Sequence, residues 1–327
     1  MSEAILEIRD LSVHYAHGPQ RAKAVDGASL SLRPGAVLAL VGESGCGKTT
    51  LALAILGLLP FPGQVVGGEI MFDGRDLLSL PEPDLRPLRG RAISMIFQDP
   101  IAGLNPVLSI GQQVEEVITT HLRASKQQAR TMAQAALARV GLADPERLSK
   151  RYPYQLSGGM CQRVVIAIAT ALNPSVIIAD EPTSALDVTI QAGILSELQR
   201  LRREQGVAIL LITHDLGVVA QMADEVAVMY AGRIAEHGPT RDVYREPRHP
   251  YTWSLFATLP RVDRADRPLL PIRGAPPDPS ELPDECAFVP RCGKALSLCR
   301  EQPSPALTEL APGHRAACYN PVVHQEA

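Results

Sequence analysis

Five consecutive apolar residues, Val37-Leu38-Ala39-Leu40-Val41, run directly into Gly42-Glu43-Ser44-Gly45-Cys46-Gly47-Lys48-Thr49. The apolar run has the pattern of a strand buried on both faces, and residues 49–59 are long and apolar enough for a buried helix. The segment between them fits G-x-x-x-x-G-K-[ST]. Its glycines let the backbone turn so that several N–H groups point inward at phosphates, and the helix N-terminus adds partial positive charge. The Lys48 side chain is suited to neutralise β and γ phosphates, and the Thr49 hydroxyl to ligate Mg²⁺. The plain alternative is a glycine turn beside a surface lysine. A chance match in a chain of this length is on the order of 1 per cent from average glycine usage, and the strand–loop–helix context makes it rarer. Gly42, Ser44, Gly45, Cys46, Gly47, Lys48, Thr49 and Thr50 are therefore candidate nucleotide contacts. Cys46 admits two roles, a thiol acidified by the lysine and helix N-terminus or a small packed side chain.

A second apolar run, Val176-Ile177-Ile178-Ala179, ends in Asp180-Glu181. An open α/β sheet presents such acids at the C-terminal edge of its strands. There Asp180 would hold Mg²⁺ and Glu181 would polarise an attacking water. Alone, an acid pair after a strand is more often a solvated strand end; together with the upstream loop, the chemical role dominates.

Strand patterns also appear at residues 5–15, 68–72, 93–97, 207–213 and 225–230. Residues 111–152 change to helical periodicity rich in Ala, Gln, Arg and Leu. The chain thus reads as an α/β domain with a helical insertion at about residues 100–160. Half of the 28 prolines lie between Pro247 and Pro321, and such a segment cannot build long helices or central strands. Residues 1–247 are expected to form a nucleotide-binding domain, and residues 248–327 a loop-rich C-terminal extension.

Composition removes several classes. A net charge of −3 and 4% aromatic residues argue against a phosphate-backbone or base-stacking nucleic-acid binder. The longest apolar run, residues 51–61, contains a glycine and a proline and is far short of a membrane span. Met1-Ser2-Glu3-Ala4-Ile5-Leu6-Glu7 has no basic-then-apolar signal pattern.

Leu156-Ser157-Gly158-Gly159-Met160 lies between the loop and the acid pair and opens a long helix, with Ser157 as its N-cap. With this segment the chain resembles the ABC ATPase family, for which such a signature is diagnostic. Gln98, the Ser184-Ala185-Leu186-Asp187 stretch and His214 follow in the family's order, and Tyr15 stands where the family keeps an aromatic to stack on adenine. The resemblance implies a P-loop NTPase (RecA-like) core of ABC type, with an antiparallel β subdomain, a helical subdomain and a C-terminal extension. It also implies a head-to-tail dimer with a second ATP-binding subunit, a paralogue. In that dimer Ser157, Gly158, Gly159 and Asp187 would meet the partner's ATP in trans. Gln98 would sense Mg²⁺, which Thr49 and Asp180 also ligate, and His214 would contact the γ-phosphate; Glu181, His214 and Lys48 form the catalytic set. Met160 departs from the family's usual glutamine and cannot make its amide hydrogen bonds.

Several stretches look specifically like the ATP-binding subunits of oligopeptide, dipeptide and nickel importers. They include Gln98-Asp99-Pro100 continuing to Leu104-Asn105-Pro106, Ala185 through Gln191, and His249-Pro250-Tyr251-Thr252 with Leu259-Pro260. Cys161 departs from an expected arginine. The resemblance implies an ATPase at the cytoplasmic face of the inner membrane, two transmembrane permease partners and, indirectly, a solute-binding protein, with no nucleic acid. A non-transport ABC ATPase would usually show paired cassettes, a coiled coil or a basic surface. A regulatory module that no longer hydrolyses would be expected to have lost Glu181 or His214.

Cys286, Cys292, Cys299 and Cys318 crowd into the proline-rich segment, with five, six and eighteen residues between them. Four thiolates suit zinc or a [4Fe–4S] cluster, and these intervals match neither the usual zinc pairs nor the ferredoxin run. Arg291, Lys294 and Arg300 lie among them and would offset a cluster's negative charge. Similar subunits carry a cysteine-bearing extension, and that resemblance favours the cluster, with zinc as the alternative.

Overall fold

The computed structural model describes residues 4–17, 20–184, 187–258 and 272–323. In chain order the strands are β1 (Leu6–His17), β2 (Gln20–Leu32), β3 (Val37–Val41), β4 (Gly63–Phe72), β5 (Arg75–Asp76), β6 (Ile93–Ile96) and β7 (Val176–Asp180). Then come β8 (Ala208–Ile212), β9 (Glu225–Tyr230), β10 (Arg233–Pro239), β11 (Thr308–Ala311) and β12 (His314–Ala316). The helices are α1 (Lys48–Ile55), α2 (Glu82–Leu85), α3 (Ile110–His121), α4 (Lys126–Arg139), α5 (Pro145–Leu148) and α6 (Gly158–Thr170). They continue with α7 (Val188–Gln205), α8 (Leu216–Met222), α9 (Thr240–Arg245), α10 (Pro250–Ala257) and α11 (Leu298–Glu301). The chain divides into two compact units, one of Met1–Ile5, Leu32–Ala36 and Ser79–Ile212, the other of Leu6–Ser31, Val37–Leu78 and Thr213–Ala327.

In the first unit β6, β7 and β8 run parallel, with Ile93 opposite Val176 and Val176 opposite Ala208. Every residue of the three is buried, which is why each reads as a continuous apolar run without alternation. The helical insertion is α3 through α6, and its starts are written in the sequence. Ser109 and Ser125 each cap a helix and pair with a glutamine three residues on, Gln112 and Gln128. Each serine accepts the glutamine N–H while the glutamine side chain accepts the serine N–H, satisfying two helix-end donors at once.

In the second unit β2, β1, β4 and β5 form a four-stranded sheet, with β1 antiparallel to β4 from Leu6 opposite Phe72 to Tyr15 opposite Gly63. Beside it β3 pairs in parallel with β9, and β10, β12 and β11 follow as antiparallel neighbours. The proline-rich segment therefore does supply strands, but short ones added beyond β10, where a missing N–H costs least.

A buried polar junction fastens that segment. Glu236, on β10 and without solvent exposure, accepts the N–H of Arg248 at 2.7 Å and of His249 at 2.8 Å. Its Oε1 also lies 2.7 Å from Nε2 of His314, on β12. His249 in turn caps α10 by accepting the Tyr251 N–H on Nδ1 at 3.0 Å. Against this junction packs an aromatic core in which the Tyr230 ring centroid is 4.5 Å from Tyr251 and 5.2 Å from Phe288.

Burial pushes the His249 imidazole down to about 4, the nearby Glu236 opposing more weakly. A histidine depressed in the fold takes its proton first in the unfolded chain. Its stabilising effect is thus complete above about pH 6.5 and is lost as pH falls towards 4, at most about 3 kcal/mol. Thermal melts should show stability falling through that window, and His249→Asn, which keeps a capping acceptor without a titrating ring, should flatten the fall. An unchanged pH slope in that variant would assign the acid sensitivity elsewhere.

Candidate functional site

In the second unit the phosphate loop connects β3 to α1 and is shaped by close backbone approaches. Gly42 has φ 156°, and a Cβ there would lie 2.2 Å from the Met229 carbonyl oxygen. Gly47 has φ 107°, and its Cβ would lie 2.1 Å from the Ala24 carbonyl oxygen. Only glycine fits either place. The Lys48 ammonium lies over the loop, donating to the carbonyls of Gly42 at 2.8 Å and Glu43 at 3.0 Å. Ser44, Gly45 and Thr49 are exposed, and Thr50 is half-buried.

Cys46 is 6% exposed, 3.6 Å from Lys48 Nζ. Burial pushes its thiol up, and the opposing lysine charge is the smaller effect. Burial and the direction of that shift favour the small packed side chain over the acidified thiol. Tyr15, half-buried on β1, leaves no room for a side chain at position 63, where a Cβ would be 2.6 Å from its Cε1. His214 is exposed just after Thr213, whose N–H donates to Leu40 O at 3.3 Å. Asp215 then caps α8 by accepting from Gly217 and Val218.

In the first unit Asp180 ends β7 at 2% exposure. Glu181 follows with φ 48°, a left-handed conformation rare outside glycine. Its N–H donates to Ile212 O at 2.8 Å, and its carbonyl accepts from Ser184 N at 3.1 Å. The Gln162 side chain, almost fully buried, donates to Pro182 O at 2.8 Å and ties the same turn to α6. Gln98 is exposed just past β6.

Ser157 caps α6, accepting from Met160 N. Gly158 is exposed with open space around it, whereas a Cβ on Gly159 would lie 2.5 Å from Ile190 Cδ1. The two glycines of the signature therefore differ: one leaves its face clear and the other lets α7 approach α6. Cys161, whose role the sequence leaves open, is 2% exposed with its thiol 3.6 Å from Pro153 O. Asp187 is exposed and caps α7 through Ile190 N at 2.9 Å. Ala185, Leu186, Leu259 and Pro260 lie outside the described residues.

The expectation of an iron–sulfur cluster or zinc at Cys286, Cys292, Cys299 and Cys318 is overturned. The four do line one pocket, yet among the described residues no group of three or more His, Cys, Asp or Glu is disposed to hold a metal ion. The pocket measures about 20 Å³, room for about one water. Burial pushes the thiols of Cys286 and Cys292 up, and that of Cys318 to about 11. Cys286 and Cys292 lie against the aromatic core. Nor does Arg291 offset a cluster's charge: it donates to both carboxylate oxygens of Glu43. Lys294 donates to Pro321 O. The Arg291–Glu43 pair and the Gln162 tie are site features that sequence inspection missed, because neither belongs to a local motif.

A glycine-shaped loop between a buried strand and a helix, with a lysine folded over it, defines a nucleotide-binding cassette. The family model described as ABC transporter matches residues 25–184, and that of the oligopeptide/dipeptide transporter C-terminal region matches residues 235–299. The dipeptide transport ATP-binding protein DppD of Bacillus subtilis is 45% identical over 97% of this chain and 95% of its own length. The oligopeptide transport ATP-binding protein OppD of Salmonella typhimurium is also 45% identical, over 98% and 95%. Among solved structures, the dimeric post-hydrolysis ATP-binding cassette MJ0796, bound to ADP and Pi, superposes with a TM-score of 0.66 at 29% identity. It covers 72% of this chain and 99% of its own. The chain belongs to the ABC-transporter ATP-binding subunits of the oligopeptide/dipeptide family. Those relatives are named for ATP binding and peptide transport, and nothing in their names points to an iron–sulfur protein.

With Cys46 buried and its thiol pushed up by that burial, maleimide labelling at pH 7 should be slow and equal with and without ATP. Rapid, ATP-protected labelling would restore the acidified thiol.

Proposed function

We propose that this chain hydrolyses ATP to ADP and phosphate to energise import of dipeptides or oligopeptides through an ABC transporter. The observation that carries it is 45% identity along nearly the whole chain to subunits named for dipeptide and oligopeptide transport. The C-terminal match, residues 235–299, points to the same substrate class. Among the described residues no helix is long and apolar enough to cross a membrane. In this reading the translocation path falls to two permease subunits, with this chain docked on their cytoplasmic face and a solute-binding protein delivering the peptide. Residues 1–247 would serve as the ATPase and 248–327 as the peptide-importer extension.

The loop backbone and Lys48 bind the β and γ phosphates, and a Cβ at Gly42 or Gly47 would fill the space that lets the loop turn. Tyr15 stacks on adenine. Thr49, Gln98 and Asp180 offer hard oxygen donors of the kind Mg²⁺ takes. A Mg²⁺ ion held by such donors would supply positive charge to offset that on the transferred phosphoryl oxygens. Glu181 orients and polarises the attacking water, and His214 contacts the γ-phosphate. A paralogous partner presents its own signature segment, while Ser157, Gly158, Gly159 and Asp187 of this chain meet the partner's nucleotide. Catalysis is then positioning and electrostatic stabilisation of the moving charge.

In the complete transporter, Glu181→Gln should retain ATP binding and lower turnover on the order of 100-fold or more. Lys48→Ala should weaken nucleotide binding itself. Near-normal hydrolysis in Glu181→Gln would remove that residue from its role. Labelled dipeptide uptake by proteoliposomes should require ATP. Uptake of nickel and no peptide would overturn the substrate class.

A further inference from the structure

The phosphate loop carries one acidic side chain, Glu43, and residues more than 200 positions later hold it from two directions. The Arg291 guanidinium donates to both carboxylate oxygens, at 2.6 and 2.9 Å. It also donates to the Tyr230 hydroxyl at 3.2 Å and, through Nε, to the Arg273 carbonyl at 2.9 Å. Its Cζ lies 5.8 Å from the Tyr230 ring centroid and 5.9 Å from that of Phe288. Separately, the Glu43 N–H donates to the Tyr251 hydroxyl at 2.8 Å, and Tyr251 is wholly buried.

This is not an exposed ion pair of the sort that contributes little. The Arg291 side chain is 5% exposed, the pairing is bidentate, and every donor direction it uses is fixed by a partner. Its location gives it a consequence beyond stability. Glu43 is the second residue of a loop whose N–H groups must face a polyphosphate, and a bare carboxylate there would repel the ligand. The guanidinium cancels that charge and ties the carboxylate to the C-terminal segment. Tyr251 fixes the adjoining peptide plane, next to the Glu43 carbonyl that Lys48 touches.

We propose that Arg291 is a positioning residue for nucleotide binding, neutralising and anchoring Glu43 so that the C-terminal segment sets the charge and shape of the phosphate loop. This rests on residues 42–49 being the phosphate site. The 327-residue chain carrying Arg291→Met, which keeps the stem and removes the fork, is titrated with a fluorescent ATP analogue and assayed for hydrolysis. Kd and KM should rise about tenfold with kcat little changed, the order expected when one charged hydrogen-bond partner is lost. Adding Glu43→Gln should recover most of that loss, because the repelling charge is gone; a purely structural role would make the double variant no better than the single. Raising the salt should narrow the gap between Arg291→Met and the parent.

Arg291→Met that binds as tightly as the parent, or a folded double variant as weak as the single, overturns the proposal. Should Arg291→Met not fold, Arg291→Lys carries the test. Binding within about threefold of the parent supports neutralisation by charge; a larger loss supports the proposal if adding Glu43→Gln recovers it and overturns the proposal if it does not. Lys48→Ala separates the two levels. Lost binding in Lys48→Ala beside unchanged binding in Arg291→Met defeats only the role of Arg291. Binding that survives Lys48→Ala defeats the phosphate site itself.

Discussion

The second unit is organised by two places where backbone meets backbone closer than any side chain permits. At Gly42 the chain passes under the Met229 carbonyl, and at Gly47 under that of Ala24. These approaches lock the loop to β9 and β2, and they explain why the loop needs glycine at both ends. The strand β3 delivers the chain to the first, and the N-terminus of α1 begins at the second. Lys48 is consequently held over its own loop, where its ammonium donates to the Gly42 and Glu43 carbonyls. A Cβ at either glycine would displace this geometry at its source, since the opposing atom is backbone and cannot rotate away.

Features written within a dozen residues were legible. The phosphate loop, the buried strands at 37–41, 93–96, 176–180, 208–212 and 225–230, and the Ser157 helix start all depend on local order. Strand β2 was not, because Gly27, at φ 69°, breaks its alternation halfway. Strand β10 begins three residues after β9 ends and carries a charged residue, Glu236, on its buried face, which disguises the pattern. That glutamate is tolerated because two backbone N–H groups and His314 satisfy it, and none of those partners is adjacent in sequence. The Arg291–Glu43 pair is opaque for the same reason, its members being 248 positions apart.

The cysteines show how a local argument can mislead. Four thiols in a proline-rich stretch suggested a metal because that segment lacks regular hydrogen-bond ladders. The fold holds it by other means. Its strands β11 and β12 extend the sheet from β10, Glu236 anchors both the start of α10 and His314, and Phe288 completes an aromatic cluster with Tyr230 and Tyr251. With those restraints present no cross-link is required, and cysteine behaves as a small apolar side chain, among the residue types most often buried. Arg291, which the sequence offered as a charge for the cluster, pairs with Glu43 instead.

Each unit carries its own part of the chemistry and fixes it in a different way. The second unit fixes a loop by removing side chains, so that its shape follows from glycine and needs no strain beyond what glycine accepts. The first unit fixes an acid by accepting strain. Glu181 is a non-glycine residue held left-handed, a conformation that costs on the order of 1–3 kcal/mol. It persists because its N–H, its carbonyl and the following proline carbonyl are all engaged, by Ile212, Ser184 and Gln162. Glycine would relieve the strain at that position and would also remove the carboxylate. Strain held at this residue is the physical ground on which the proposed mechanism singles out Glu181 rather than Asp180 as the group that would meet the water.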